Sequence, residues 1–99
     1  MAKDAGITRE SAEKLAIQAL SYLAGEPERL GAFLSLTGIG PGEIRKAATD
    51  PSFLAGLLDY VTSDEPLLLA VAEHAGVSPQ RVERARAALN GEPWEREVP

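Results

Sequence analysis

The chain has no cysteine and a single histidine, His74. Disulfide staples and thiolate metal sites are therefore excluded, and no histidine cluster can form. Aromatic residues are equally scarce: Tyr22, Phe33, Phe53, Tyr60 and Trp94 make up 5% of the 99 residues. The 44% hydrophobic fraction comes mainly from alanine and leucine, a composition suited to closely packed helices rather than a sheet. No β-structure is expected. No segment approaches the roughly 20 consecutive apolar residues that span a bilayer. The start, Met1-Ala2-Lys3-Asp4, lacks the apolar run of a signal peptide. A cytoplasmic protein with no membrane association is the resulting expectation, and the length suits one domain.

Positive charge is also in deficit. Ten Lys plus Arg stand against 15 Asp plus Glu, a formal charge of −5, which repels nucleic acid and anionic lipid at long range. A neutral or basic partner is favoured. Residues 1–50 carry 6 basic and 7 acidic side chains, and residues 51–99 carry 4 and 8, so the acidity concentrates in the second half.

What is present is helix punctuation. Thr8 caps a first helix that runs to Ala24, with Ala12, Leu15, Ala16, Ala19, Leu20 and Leu23 forming one stripe at i, i+3, i+4, i+7, i+8 and i+11. Gly25 stops it. A second helix opens at Pro27, buries Leu30, Phe33 and Leu34 and ends at Gly38; a short third runs from Pro41 to about Ala48, burying Ile44 and Ala47. Asp50-Pro51 starts a fourth, with Leu54, Leu57, Leu58 and Val61 inward and Phe53 and Tyr60 flanking. The fifth begins around Ser63-Asp64-Glu65-Pro66; its run Leu67-Leu68-Leu69-Ala70-Val71-Ala72 is apolar all round, which predicts a central position. Ser78-Pro79 opens a sixth that buries Val82, Ala85 and Leu89 and closes at Asn90-Gly91. The expected fold is an all-α compact bundle of six short helices over residues 1–91, followed by an irregular tail, 92–99.

The chain also repeats itself. Gly38-Ile39-Gly40-Pro41 returns 38 residues later as Gly76-Val77-Ser78-Pro79. At that offset Leu15–Ala47 aligns with Phe53–Ala85 without a gap. Seven of the 33 positions are identical: Leu20/Leu58, Tyr22/Tyr60, Leu30/Leu68, Ala32/Ala70, Gly38/Gly76, Pro41/Pro79 and Ala47/Ala85. Two three-helix repeats are implied, too few for an open solenoid, so they should pack on each other.

The segment Leu34-Ser35-Leu36-Thr37-Gly38-Ile39-Gly40 followed by a helix is similar to the helix-hairpin-helix motif, and two such hairpins joined by a connecting helix resemble the tandem domain of many DNA-repair proteins. The resemblance implies a nucleic-acid-binding hairpin that begins at Gly38, with backbone N–H groups at Gly40, Gly42 and the corresponding Ser78 and Gln80 facing phosphates and Arg45, Lys46, Arg81 and Arg84 adding charge. Three features depart from it. Ser78 replaces the second hairpin's second glycine, Ile44 and Val82 occupy positions where that family favours a small residue, and Glu43 competes with phosphate in the first turn of its helix. Phosphate contacts supply most non-specific affinity for DNA, and the net charge of −5 disfavours them. Nucleic-acid binding is the alternative reading.

A second resemblance spans nearly the whole chain. Ala19-Leu20-Ser21-Tyr22-Leu23-Ala24, Pro27-Glu28-Arg29-Leu30, Phe33 through Pro41, Asp50-Pro51 and Phe53-Leu54 are similar to a short all-helical family of alphaproteobacteria, domain of unknown function 3572. That resemblance implies a bacterial helical protein and carries over no site residues.

Catalytic chemistry finds no organised constellation. Asp59 with Asp64 or Glu65, and His74 with Glu73, are the nearest acid–base pairs, and helix caps account for Asp64 and Glu65. His74 reads as a polar group at the negative end of its helix. Gly38 to Gly42 is not a phosphate loop, since no strand precedes it and no Lys-Ser/Thr follows. No enzyme activity, metal or cofactor is expected. The leading expectation is a protein-binding or regulatory module. Trp94 is either folded back or an anchor for a partner or second copy, and Tyr22 and Tyr60 mark equivalent edges of the core or exposed patches.

Overall fold

Helix caps fix where each element begins. The computed structural model describes residues 7–91, so the 92–99 tail and Trp94 lie outside the described residues. Thr8 takes an extended backbone and its hydroxyl accepts from the Ser11 N–H at 3.0 Å, while Ser11 Oγ accepts from the Thr8 N–H, a reciprocal box that opens α1 (Arg9–Ala24). Pro27 opens α2 (Pro27–Thr37). A single 3₁₀ turn, Pro41–Glu43, leads into α3 (Ile44–Ala47). Asp50 accepts from Ser52 N at 2.9 Å to cap α4 (Pro51–Thr62), and Asp64 accepts from Leu67 N to cap α5 (Glu65–Ala75). Ser78 accepts from Arg81 N at 3.1 Å to cap α6 (Pro79–Leu89). The architecture is an all-α bundle, with no strand among the described residues. No helix there is long and apolar enough to cross a membrane.

All six residues of the predicted α1 stripe are buried, and they meet Leu54, Leu57, Leu58 and Val61 of α4, Leu67, Leu68, Val71 and Ala72 of α5, and Val82, Ala85 and Leu89 of α6 in one core. These four helices form the body; α2 lies at its edge. Phe33 anchors α2, with its ring centroid 5.6 Å from Phe53 and 5.1 Å from Tyr60. Arg29 adds an ion pair to Asp64 at 3.6 Å, and Arg86 of α6 and Asn90, which follows it, both reach Asp59 of α4.

Three expectations are corrected. The fifth helix is not central: Leu69 is 48% exposed and Ala70 half-buried, so α5 presents one face to α1 and α4 and the other to solvent. The third helix does not start as α-helix, because Pro41-Gly42 gives a poor first turn and Glu43 sits at φ −107°, ψ 2°. Its Ile44 and Ala47, and Leu30 of α2, are half-buried rather than buried. For Ile44 and Ala47 the cause is the shortness of α3. α4 starts at Pro51, four residues after α3 ends at Ala47, too soon for α3 to reach across the body.

The 38-residue offset relates element boundaries: α1 ends at Ala24 and α4 at Thr62, α2 spans Pro27–Thr37 and α5 Glu65–Ala75, and Pro41 and Pro79 open the next turns. The correspondence fails at the third helix, where α3 has four residues and α6 eleven.

Candidate functional site

The two glycine–proline corners share one backbone path. Gly38 and Gly76 adopt left-handed conformations with φ 76° and 74°, accessible to glycine without steric cost. Gly40 (φ −77°, ψ 156°) and Ser78 (φ −76°, ψ 155°) then hold nearly identical extended geometry. Their hydrogen bonding differs in one atom. At the second corner the Val77 N–H donates directly to the Ala72 carbonyl at 3.0 Å. At the first, the Ile39 N–H donates to Thr37 Oγ1, whose hydroxyl donates to the Leu34 carbonyl. Thr37 stands where the 38-residue offset puts Ala75, so a hydroxyl relays the bond that the other turn makes directly.

Several backbone donors beside the two corners are already engaged. The Gly38 N–H donates to Leu34, the Glu43 N–H to Gly40, and the Arg81 N–H to both the carbonyl and the hydroxyl of Ser78. Gly38, Gly42, Arg45, Lys46, Ser78 and Gln80 are exposed, while Gly40, Arg81 and Arg84 are half-buried. Lys46 borders a shallow hollow with Ile39, Glu43, Ala47 and Asp50; Arg81 borders a different one, against α1.

Tyr22 and Tyr60 are half-buried, and each packs on a ring of another helix: Tyr22 lies 5.6 Å from His74 of α5, and Tyr60 lies 5.1 Å from Phe33 of α2. His74 itself is exposed in the last turn of α5. Asp59 and Asp64 are engaged by Arg86 with Asn90 and by Arg29 with Leu67 N, respectively. Among the described residues no three metal-ligating side chains converge.

The feature that sequence reading missed is a groove of about 430 Å³ between α1 and the start of α6. Leu15, Ile17 and Val77 supply its apolar surface, and Lys14 and Arg81 are its charged residues, with Gln18 beside them. Ile17 stays 42% exposed. The available signal was small: Ile17 lies off the α1 stripe, between Lys14 and Gln18 on an otherwise polar face.

Fold and surface thus define a small all-α domain with an open groove between α1 and the start of α6. The family model DUF3572, described as a protein of unknown function, matches residues 9–92, and the chain belongs to that family. No curated protein and no solved structure matches the chain.

Proposed function

We propose that this chain is a non-catalytic protein-binding or regulatory module, acting in the cytoplasm, whose contact surface is the α1–α6 groove. The observation that carries the reading is the exposed Ile17, flanked by Leu15 and Val77 and bordered by Lys14 and Arg81 on a chain of net charge −5. An apolar strip with a cationic border on an acidic protein selects a partner segment that is amphipathic and negatively charged. This departs from the neutral or basic partner inferred from net charge alone, because the field within a few ångströms of a groove is set by its own residues. The carboxylates that resemble acid–base pairs, Asp59 and Asp64, serve as helix ties and caps, which supports a non-catalytic role.

A photo-crosslinking amino acid at position 17, expressed in the native cell, is expected to capture a partner that the same group at exposed Ser35 on α2 does not. Ile17→Glu should leave helicity unchanged and weaken that partner's affinity about tenfold or more, the scale of losing one well-packed apolar contact and adding a like charge. Equal capture from positions 17 and 35 would remove the groove from consideration.

One observation favours the nucleic-acid alternative, the near-identical dihedrals of the two corners. If the corners bind a phosphate backbone, affinity for a DNA duplex should fall steeply between about 50 and 200 mM salt, and Arg45→Glu with Lys46→Glu should flatten that slope. The occupied Ser78 hydroxyl and the acidic chain predict no measurable binding in the same titration.

A further inference from the structure

We infer that the outer face of α2 is a self-association surface: two copies of this chain pair their α2 helices antiparallel about a twofold axis near Ala32, with Glu26 and Glu28 of each copy facing Arg45 and Lys46 of the other. The pairing is independent of the α1–α6 groove.

The uncovered side of the helix is the first support. Phe33 and Leu34 hold α2 to the body, and Leu30 is half-buried beside them. Glu28, Gly31, Ala32, Ser35 and Leu36 fall at i, i+3, i+4, i+7 and i+8 and are all exposed, so they share the opposite side. Leu36 is 73% exposed, more than any other large hydrophobic among the described residues. A single leucine in water is ordinary. Here it closes a strip whose members after Glu28 have small side chains, so a second helix can approach to the short end of the usual 8–10 Å axial separation and cover it.

Charge identifies the partner as a second copy. The start of α2 carries Glu26 and Glu28, and the neighbouring Arg29 is held by Asp64 at 3.6 Å. Beyond its other end, α3 carries Arg45 and Lys46, both exposed, against Glu43 of the turn before them. Among the described residues no ion pair engages Glu26, Glu28, Arg45 or Lys46. The α2 face therefore runs from an acidic end to a basic one. A second copy laid parallel sets like charges together. Laid antiparallel, it sets each acidic end on a basic one, twice by symmetry, and the assembly closes at two chains.

Spacing agrees with that direction. At about 1.5 Å per residue, Glu28 and Glu26 lie roughly 6 and 9 Å to one side of Ala32, and Leu36 and Gly38 lie the same distances to the other. Rotation about an axis at Ala32 brings Glu28 level with the partner's Leu36, and Glu26 level with the partner's Gly38, where the chain turns toward α3. The net charge of −5 opposes approach at long range. In about 0.15 M salt that field is screened beyond about 8 Å, whereas the paired helix ends act within it. A helix of 11 residues offers a patch at the small end of specific interfaces, so the pairing belongs to high protein concentration.

Sedimentation equilibrium of the full chain in about 0.15 M salt is expected to give the 10.5 kDa of one chain at about 10 μM and to approach twice that mass at about 1 mM. Leu36→Glu, at an exposed site, should weaken the association about tenfold or more with helicity unchanged. Charge reversal separates this pairing from any other. Glu26→Lys with Glu28→Lys, and Arg45→Glu with Lys46→Glu, should each stay monomeric at about 1 mM, and an equimolar mixture of the two variants should pair again, because every acidic end then meets a basic one. Lysines at the start of α2 oppose its dipole. Should that variant unfold, Ala32→Cys still decides: in a chain without cysteine it should oxidise to a disulfide-linked pair about tenfold or more faster than Glu73→Cys on the exposed side of α5. A chain that stays monomeric at about 1 mM, a mixture of folded charge variants that fails to pair, or equal oxidation at positions 32 and 73 would overturn the inference. A photo-crosslinker at Ser35 should join two copies of this chain, a product distinct in mass from the partner sought at position 17, so either reading can fail alone.

Discussion

Leu57→Ala is expected to lower the unfolding free energy by roughly 2–5 kcal/mol, a large part of the roughly 5–15 kcal/mol that a domain of this size has to lose. Leu57 is completely buried on α4, in the core where α1, α5 and α6 also meet. Removing its isobutyl group forfeits transfer free energy and leaves a cavity that four helices on short connections cannot close. Urea denaturation followed by helical circular dichroism should show an earlier midpoint with an unchanged slope. A loss below about 1 kcal/mol would mean that the body relaxes around the gap, contrary to the packing described.

The same measurement exposes the difference between the two halves of the chain. Val82 and Ile44 are equivalent under the 38-residue offset, yet Val82 is fully buried and Ile44 half-buried. Trimming the isoleucine deletes one carbon more than trimming the valine, but that carbon leaves a site already open to water. The free-energy cost follows area withdrawn from solvent rather than atoms removed. The α6 helix closes the core against α1 and α4; α3 is cut short by Asp50-Pro51 and remains at the rim.

This difference also marks how far the fold was legible in advance. The caps and stops at Thr8, Pro27, Asp50, Asp64, Ser78 and the three positive-φ glycines placed most helix ends, because these signals act through groups one to four residues away. The α1 stripe was legible for the same reason: alanine and leucine on one side, charge on the other, give the helix a phase. Leu67 to Ala72 has no such phase. Which side of α5 faces solvent is decided by where α1 and α4 lie, and only the structure shows that Leu69 is the outward residue. The groove is a still longer-range product, joining Ile17 to Arg81, 64 positions apart. Net charge suggested one kind of partner and the groove's own residues suggest another, since a sum over the chain carries no information about where its few cations gather.

Gly76→Val is expected to cost about 2 kcal/mol, and to do so through the backbone alone. A Cβ built at Gly76 meets nothing within 4 Å, so no steric collision with a neighbour contributes. The cost comes from φ 74°, where a β-branched side chain crowds its own carbonyl. That angle is what sends the Val77 N–H back to Ala72 and releases the chain into the extended Ser78 that caps α6. A different φ would misdirect the helix carrying Val82, Ala85 and Leu89 into the core. Gly38 has the same φ and the same open surroundings, but the helix it launches is four residues long and half-buried, so the hairpin there can distort locally; Gly38→Val should cost clearly less. Asparagine tolerates the left-handed region, and Gly76→Asn should recover most of the loss. For a domain this size about 2 kcal/mol shifts the melting midpoint by roughly 8–16 °C, well within calorimetric resolution. If asparagine and valine at position 76 proved equally damaging, dihedral strain would not be the cause, and the corner would matter for its exposed backbone instead.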